Sequence, residues 1–105
     1  MEELLEFVNQ NDNLIVSDNI NGIKTIRWEI GRVSFYLHTK KREVGHYDCG
    51  GAIVLTRNGI DKLEVITVSK PFCSEKGVIK LLEDMISSSI DLNSFIENKS
   101  DYLNG

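Results

Sequence analysis

Three features of the sequence predict an α+β domain: a five-stranded antiparallel sheet with an N-terminal helix and two C-terminal helices packed on one face. Residues 32–38 alternate strictly, with Val33, Phe35 and Leu37 set between Arg32, Ser34, Tyr36 and His38. Two Asn-Gly dipeptides, Asn21-Gly22 and Asn58-Gly59, sit between apolar runs, where both residues tolerate the positive φ of a two-residue hairpin turn. Apolar spacing of helical period is confined to the two ends of the chain.

Residues 2–10 read as a short helix. Glu2, Glu3 and Glu6 suit the positive end of its dipole, Leu4, Leu5 and Val8 share a face, and the Asn/Asp run Asn9–Asn13 stops it. Pairing outward from Asn21-Gly22 joins strands 13–18 and 23–29 and puts Ile15, Ile26 and Trp28 on one side. A turn near Gly31 leads to the alternating strand, whose apolar set falls on that same side. Pairing outward from Asn58-Gly59 puts Val54 opposite Leu63 and Ala52 opposite Val65. Ile53/Glu64 and Leu55/Lys62 then form a mixed, half-exposed surface. Pro71 ends the sheet, and Ser74 caps a helix carrying Val78, Ile79, Leu82, Met85 and Ile86. Ser87-Ser88-Ser89 weakens that helix. Asp91 caps a last one with Leu92, Phe95 and Ile96 on a face, and residues 98–105 form a frayed tail.

With 105 residues, 41% hydrophobic and 27% charged, the sequence suits a single domain spanning 1–105. No apolar run approaches the roughly 18–20 residues that span a bilayer. The opening Met-Glu-Glu lacks the basic and apolar regions of a secretory signal, so a cytoplasmic location is expected, with Cys49 and Cys73 kept as thiols.

Chemistry concentrates in one stretch, where His46, Asp48 and Cys49 follow Lys40-Lys41-Arg42 and precede Gly50-Gly51. As a zinc site it supplies one close pair, His46 and Cys49, whereas structural zinc commonly takes two such pairs. As a nucleophile, Cys49 or Cys73 needs an imidazole within reach and a group to orient it, and residues on one loop seldom meet that way. The two glycines lead into a strand, whereas a phosphate cradle feeds a helix N-terminus. A connecting loop, available as a binding surface, is the expected role.

Tyr36, His38, Arg27 and Arg32 point away from Trp28. They form either a solvated sheet face or a recognition face, since Tyr and Arg dominate interface energetics. Charge is unevenly distributed: residues 1–23, 24–80 and 81–105 carry −5, +5 and −4. With the terminal helices in one layer, this predicts an acidic helical side and a basic sheet side. The net charge of −4 argues against general phosphate binding and favours a basic protein partner.

Neither a catalytic nor a cofactor motif is present, so the expectation is a non-enzymatic, cofactor-free protein. By analogy of size and acidity, the sequence suits an immunity or antidote protein that neutralises a cognate toxin, such as a nuclease, by blocking its active site. A viral inhibitor of a host defence nuclease is physically similar. A small Cys/His enzyme and a nucleic-acid module using the basic side are the other classes considered. For the antidote, the expected partner-binding residues are Tyr36, His38, His46, Tyr47, Asp48, Glu83, Asp84 and Asp91, with Tyr36, Tyr47 and Tyr102 as aromatic anchors and the carboxylates meeting a basic cleft. No metal site, membrane contact or direct nucleic-acid contact is expected.

Overall fold

The computed structural model describes residues 2–18, 22–57 and 61–104, with side chains at all of these except 2, 43 and 99–104. The elements in chain order are α1 (Glu2–Asn9), β1 (Ile15–Asp18), β2 (Ile23–Ile30), β3 (Val33–Glu43), β4 (His46–Arg57), β5 (Asp61–Ser74) and α2 (Glu75–Asn104). The strands form one antiparallel meander in the order β1-β2-β3-β4-β5, so each strand lies beside its sequence neighbour.

Register decides which residues are inside. Ile26 pairs with Leu37 and Trp28 with Phe35, then Phe35 with Ile53, Thr39 with Cys49 and Lys41 with Tyr47. Opposed residues share a face. The inner face therefore carries Ile26, Trp28, Phe35, Leu37, Tyr47, Cys49 and Ile53, all buried. These join Val78, Leu82 and Met85 of α2, together with Leu4 of α1, in one apolar cluster. The Trp28 and Phe35 rings stack at 5.7 Å across the β2–β3 pair. Gly51 lies where a Cβ would run into the backbone carbonyl of Tyr36, so only glycine lets β4 approach β3 this closely.

Both hairpin registers differ from expectation by one residue. Ile15 pairs with Arg27 and Val16 with Ile26, so Val16 packs on the core while Ile15 is 65% exposed on the opposite face. Val54 pairs with Glu64 and Leu55 with Leu63. Ile53, expected on a half-exposed surface, is 1% exposed beneath α2. Because strands have period 2, one extra residue in a connection exchanges the two faces. Asn21 and Asn58-Gly59 themselves lie outside the described residues.

The Lys40–Gly51 stretch is a hairpin rather than a loop. β3 continues through Lys40, Lys41 and Arg42, and only Val44-Gly45 turns, with Gly45 at φ 78°. Nor does Pro71 end the sheet: β5 runs to Ser74. β5 is an edge strand, where a missing N–H leaves no ladder bond unmade. The irregularity appears instead as a bulge between the Tyr47–Cys73 and Cys49–Lys70 pairs, with Phe72 at φ 59°.

The C-terminal part is one 30-residue helix where two helices and a frayed tail were expected. Ser74 caps it, its Oγ accepting from Gly77 N at 3.1 Å. The serines do not break it because its inward stripe is continuous. Val78, Leu82, Met85, Ser89 and Asn93 are buried in sequence, and tertiary packing outweighs their modest helix propensity. α1 packs on α2 through Leu4, Phe7 and Val8, with Leu5 exposed, and Leu4 N donates to Glu75 Oε1 at 2.8 Å.

Candidate functional site on the uncovered sheet face

The face opposite α2 carries cross-strand rows that the meander brings side by side. One row is Ile15, Arg27, Tyr36, Ala52 and Thr67, and the next is Ser17, Thr25, His38, Gly50 and Ser69. Together with Asp12 and Asn13 from the connection before β1, these strands form an open groove of about 840 Å3 to which no described side chain of either helix contributes. Its floor includes Val54, and Ile15 stands exposed at its margin.

Polar side chains in the groove are held by one another. The Tyr36 hydroxyl donates to Glu64 Oε1 at 2.9 Å, and the phenol is pushed above its ordinary value by that carboxylate bond, by burial and by the Glu64 charge. The Tyr36 ring lies 5.1 Å from the His38 ring at a 51° tilt. His38 Nδ1 is 2.7 Å from the Oγ1 of buried Thr25, which fixes the imidazole and leaves Nε2 without a partner among the described residues. Arg27 is exposed beside them, with no carboxylate within ion-pair distance among the described residues. The groove thus presents an apolar floor, an amphipathic ring, an oriented imidazole and charges of both signs. That combination can seat a peptide segment or protruding side chains.

Only Tyr36 and His38 of the expected binding residues line this groove. Asp48 shares the outer face, one row beyond His38 and opposite Lys40, where its Oδ1 accepts from Phe72 N at 2.9 Å and from Arg42 Nη1 at 3.4 Å. The His46 ring stacks on Phe72 at 4.2 Å, with the Arg42 guanidinium 5.4 Å from the same ring. These contacts secure the bulge. Tyr47 is 4% exposed on the inner face, so it is a core residue and not an exposed anchor; burial pushes its phenol up, with a smaller contribution from the Glu75 charge. Glu83, Asp84 and Asp91 are exposed on α2, across the sheet from the groove. Tyr102 lies outside the residues whose side chains are described. Sequence reasoning missed Glu64 and Thr25. The one-residue register slip had set Glu64 opposite Ile53, and the fully apolar character of Ile53 was the signal that could have restored it.

Charge is mixed at both ends of the sheet, since Glu3, Glu6 and Glu75 lie where α2 begins and Arg32 and Arg57 lie at the opposite end, toward Asn93. His46 pairs with Ser74, immediately before α2, so Lys40, Lys41, Arg42 and Lys70 gather near Lys76 at the start of that helix. The acids Glu83, Asp84 and Asp91 follow further along it, and the outer face is mixed, with Arg27 and Lys62 against Glu29 and Glu64. This replaces the expected basic sheet side.

Neither imidazole hydrogen-bonds a thiol among the described residues: His38 engages Thr25, and His46 Nδ1 lies 3.3 Å from Val44 O. Burial, then the neighbouring Cys73, pushes the Cys49 thiol up to about 12. No group of three His, Cys, Asp or Glu among the described residues is placed to hold a metal ion, and none of their helices is long and apolar enough to cross a membrane. Comparison with protein-family models, curated proteins and solved structures gave no match.

Proposed function

We propose that the chain is a small acidic protein-binding inhibitor of the immunity or antidote kind. It neutralises a cognate basic protein, a toxin such as a nuclease, by covering its active site. The observation that carries this reading is the uncovered sheet face, with Tyr36, His38, Arg27 and Glu64 positioned around an apolar floor. Such a surface binds without chemistry, and the non-enzymatic, cofactor-free reading rests on it. The net charge of −4 draws a basic partner in, while the groove supplies the desolvated contact.

The test is affinity capture of the tagged chain from its native host, followed by assay of the retained protein with and without the chain. One basic protein should be held stoichiometrically and lose its activity when bound. Tyr36→Ala and Arg27→Ala should each weaken binding by roughly 10- to 100-fold. Retention of nucleic acid alone, lost at high salt, would move the function to the Lys40–Arg42 end. A partner indifferent to both substitutions would remove the groove from the interface.

A further inference from the structure

β4 and β5 place both cysteines on the inner face of the sheet. Tyr47 pairs with Cys73 and Cys49 with Lys70, so the extra residue in β5 sets Cys73 diagonally across from Cys49. After burial, Cys73 is the side chain that most affects the Cys49 thiol. The two thiols differ in access: Cys49 is 5% exposed, whereas Cys73 is half-buried with its Sγ 3.7 Å from Lys70 O. The backbone that carries Cys73 is held in place, since Phe72 takes a left-handed conformation and its N–H is bound by Asp48. A more accessible thiol set diagonally beside a buried one on the neighbouring strand is the arrangement of an attacking and a resolving cysteine.

We propose that Cys49 and Cys73 are a peroxide-responsive dithiol that closes a disulfide between β4 and β5. The Cys73 sulfur, as thiolate, attacks one oxygen of hydrogen peroxide and breaks the O–O bond. It becomes a sulfenic acid, and the departing hydroxide takes up a proton to leave as water. Cys49 then gives up its proton, and its sulfur attacks the Cys73 sulfur. The S–O bond breaks, the oxygen leaves as a second water, and the S–S bond forms. Two thiols lose two electrons to one peroxide. The closed bridge staples the bulge and fixes the Asp48–Phe72 clamp beside it. Because the Cys49 thiol is pushed up to about 12, closure is slow at neutral pH. It should accelerate about tenfold for each pH unit between about 7 and 9, as the reactive thiolate becomes more abundant.

The full chain is treated with hydrogen peroxide and followed by intact mass and non-reducing peptide mapping. The expected result is a product lighter by two hydrogens, carrying an intrachain Cys49–Cys73 link that dithiothreitol reverses. Cys49→Ala and Cys49→Ser should instead accumulate at Cys73 a sulfenic acid that dimedone traps. Sulfinic or sulfonic acid at Cys73 without a link in the native sequence, a link between chains, or two unreacted thiols would each overturn the proposal.

Discussion

Phe72 is the residue at which local preference and tertiary structure disagree most. An aromatic side chain in the left-handed region costs about 1–2 kcal/mol relative to a right-handed or extended backbone. Here it is compensated by the Asp48 bond to its N–H, the His46 stack and the nearby Arg42. The strain and the ring contacts can be separated by mutation. Phe72→Ala removes the ring and keeps the strained backbone, whereas Phe72→Gly removes both. The glycine variant should be the more stable of the two by roughly 0.5–1 kcal/mol in urea unfolding, although both should fall below the native chain. Equal stability, or a more stable alanine variant, would mean that the positive φ carries no cost. Ser89 is the converse case. Its Oγ is buried with no hydrogen-bond partner among the described residues, an unfavourable group on the inward stripe of the helix.

Among the elements, the junction of the two helices has a readable pH signature. The Leu4 amide holds the Glu75 carboxyl below its ordinary 4.5, with burial partly opposing it. A carboxyl depressed in the folded state stabilises fully above its unfolded value. That contribution is lost as pH falls through the lower folded value. Thermal melts from about pH 6 to about pH 3 should therefore show the native chain ahead of Glu75→Gln at the upper end, with the gap closing below about 4.5. A constant gap would leave the bond to α1 without an ionic component. The same scale shows what the sequence reveals. Alternation at Val33, Phe35 and Leu37 located β3 and its buried face, and Ser74 marked the start of α2. Asn-Gly dipeptides signalled the hairpins but not their pairing, because turn residues announce a reversal without counting the residues it consumes. Of the groove, Tyr36 and His38 were legible through that alternation. Glu64 and Thr25 were not, because both depend on strands whose register is settled only by what the core buries.

For the whole molecule, whose dimensions are 54 × 24 × 19 Å, the exposed acids of α2 stand on the side away from the groove. Bases cluster where β3 turns into β4, and acids lie further along α2. A basic partner should therefore be attracted by these exposed acids as well as by the net charge. Reversing Glu83→Lys and Asp84→Lys together should slow its association about tenfold at low ionic strength, with dissociation nearly unchanged. Added salt should remove the difference, since screening acts on exposed charges. An unchanged association rate at low salt would confine the electrostatic contribution to the groove.

The order of the elements also sets a timetable for the nascent chain. Every strand after the first finds a partner in the strand synthesised just before it, so the sheet can assemble as it emerges. Its cover comes last, because the residues that shield Trp28, Phe35, Leu37 and Ile53 belong chiefly to α2. Until it docks, an apolar sheet, with the full length of β5 open along one edge, stands unprotected. The period of greatest vulnerability to aggregation therefore falls before α2 docks, and any substitution that slows its docking would lengthen it.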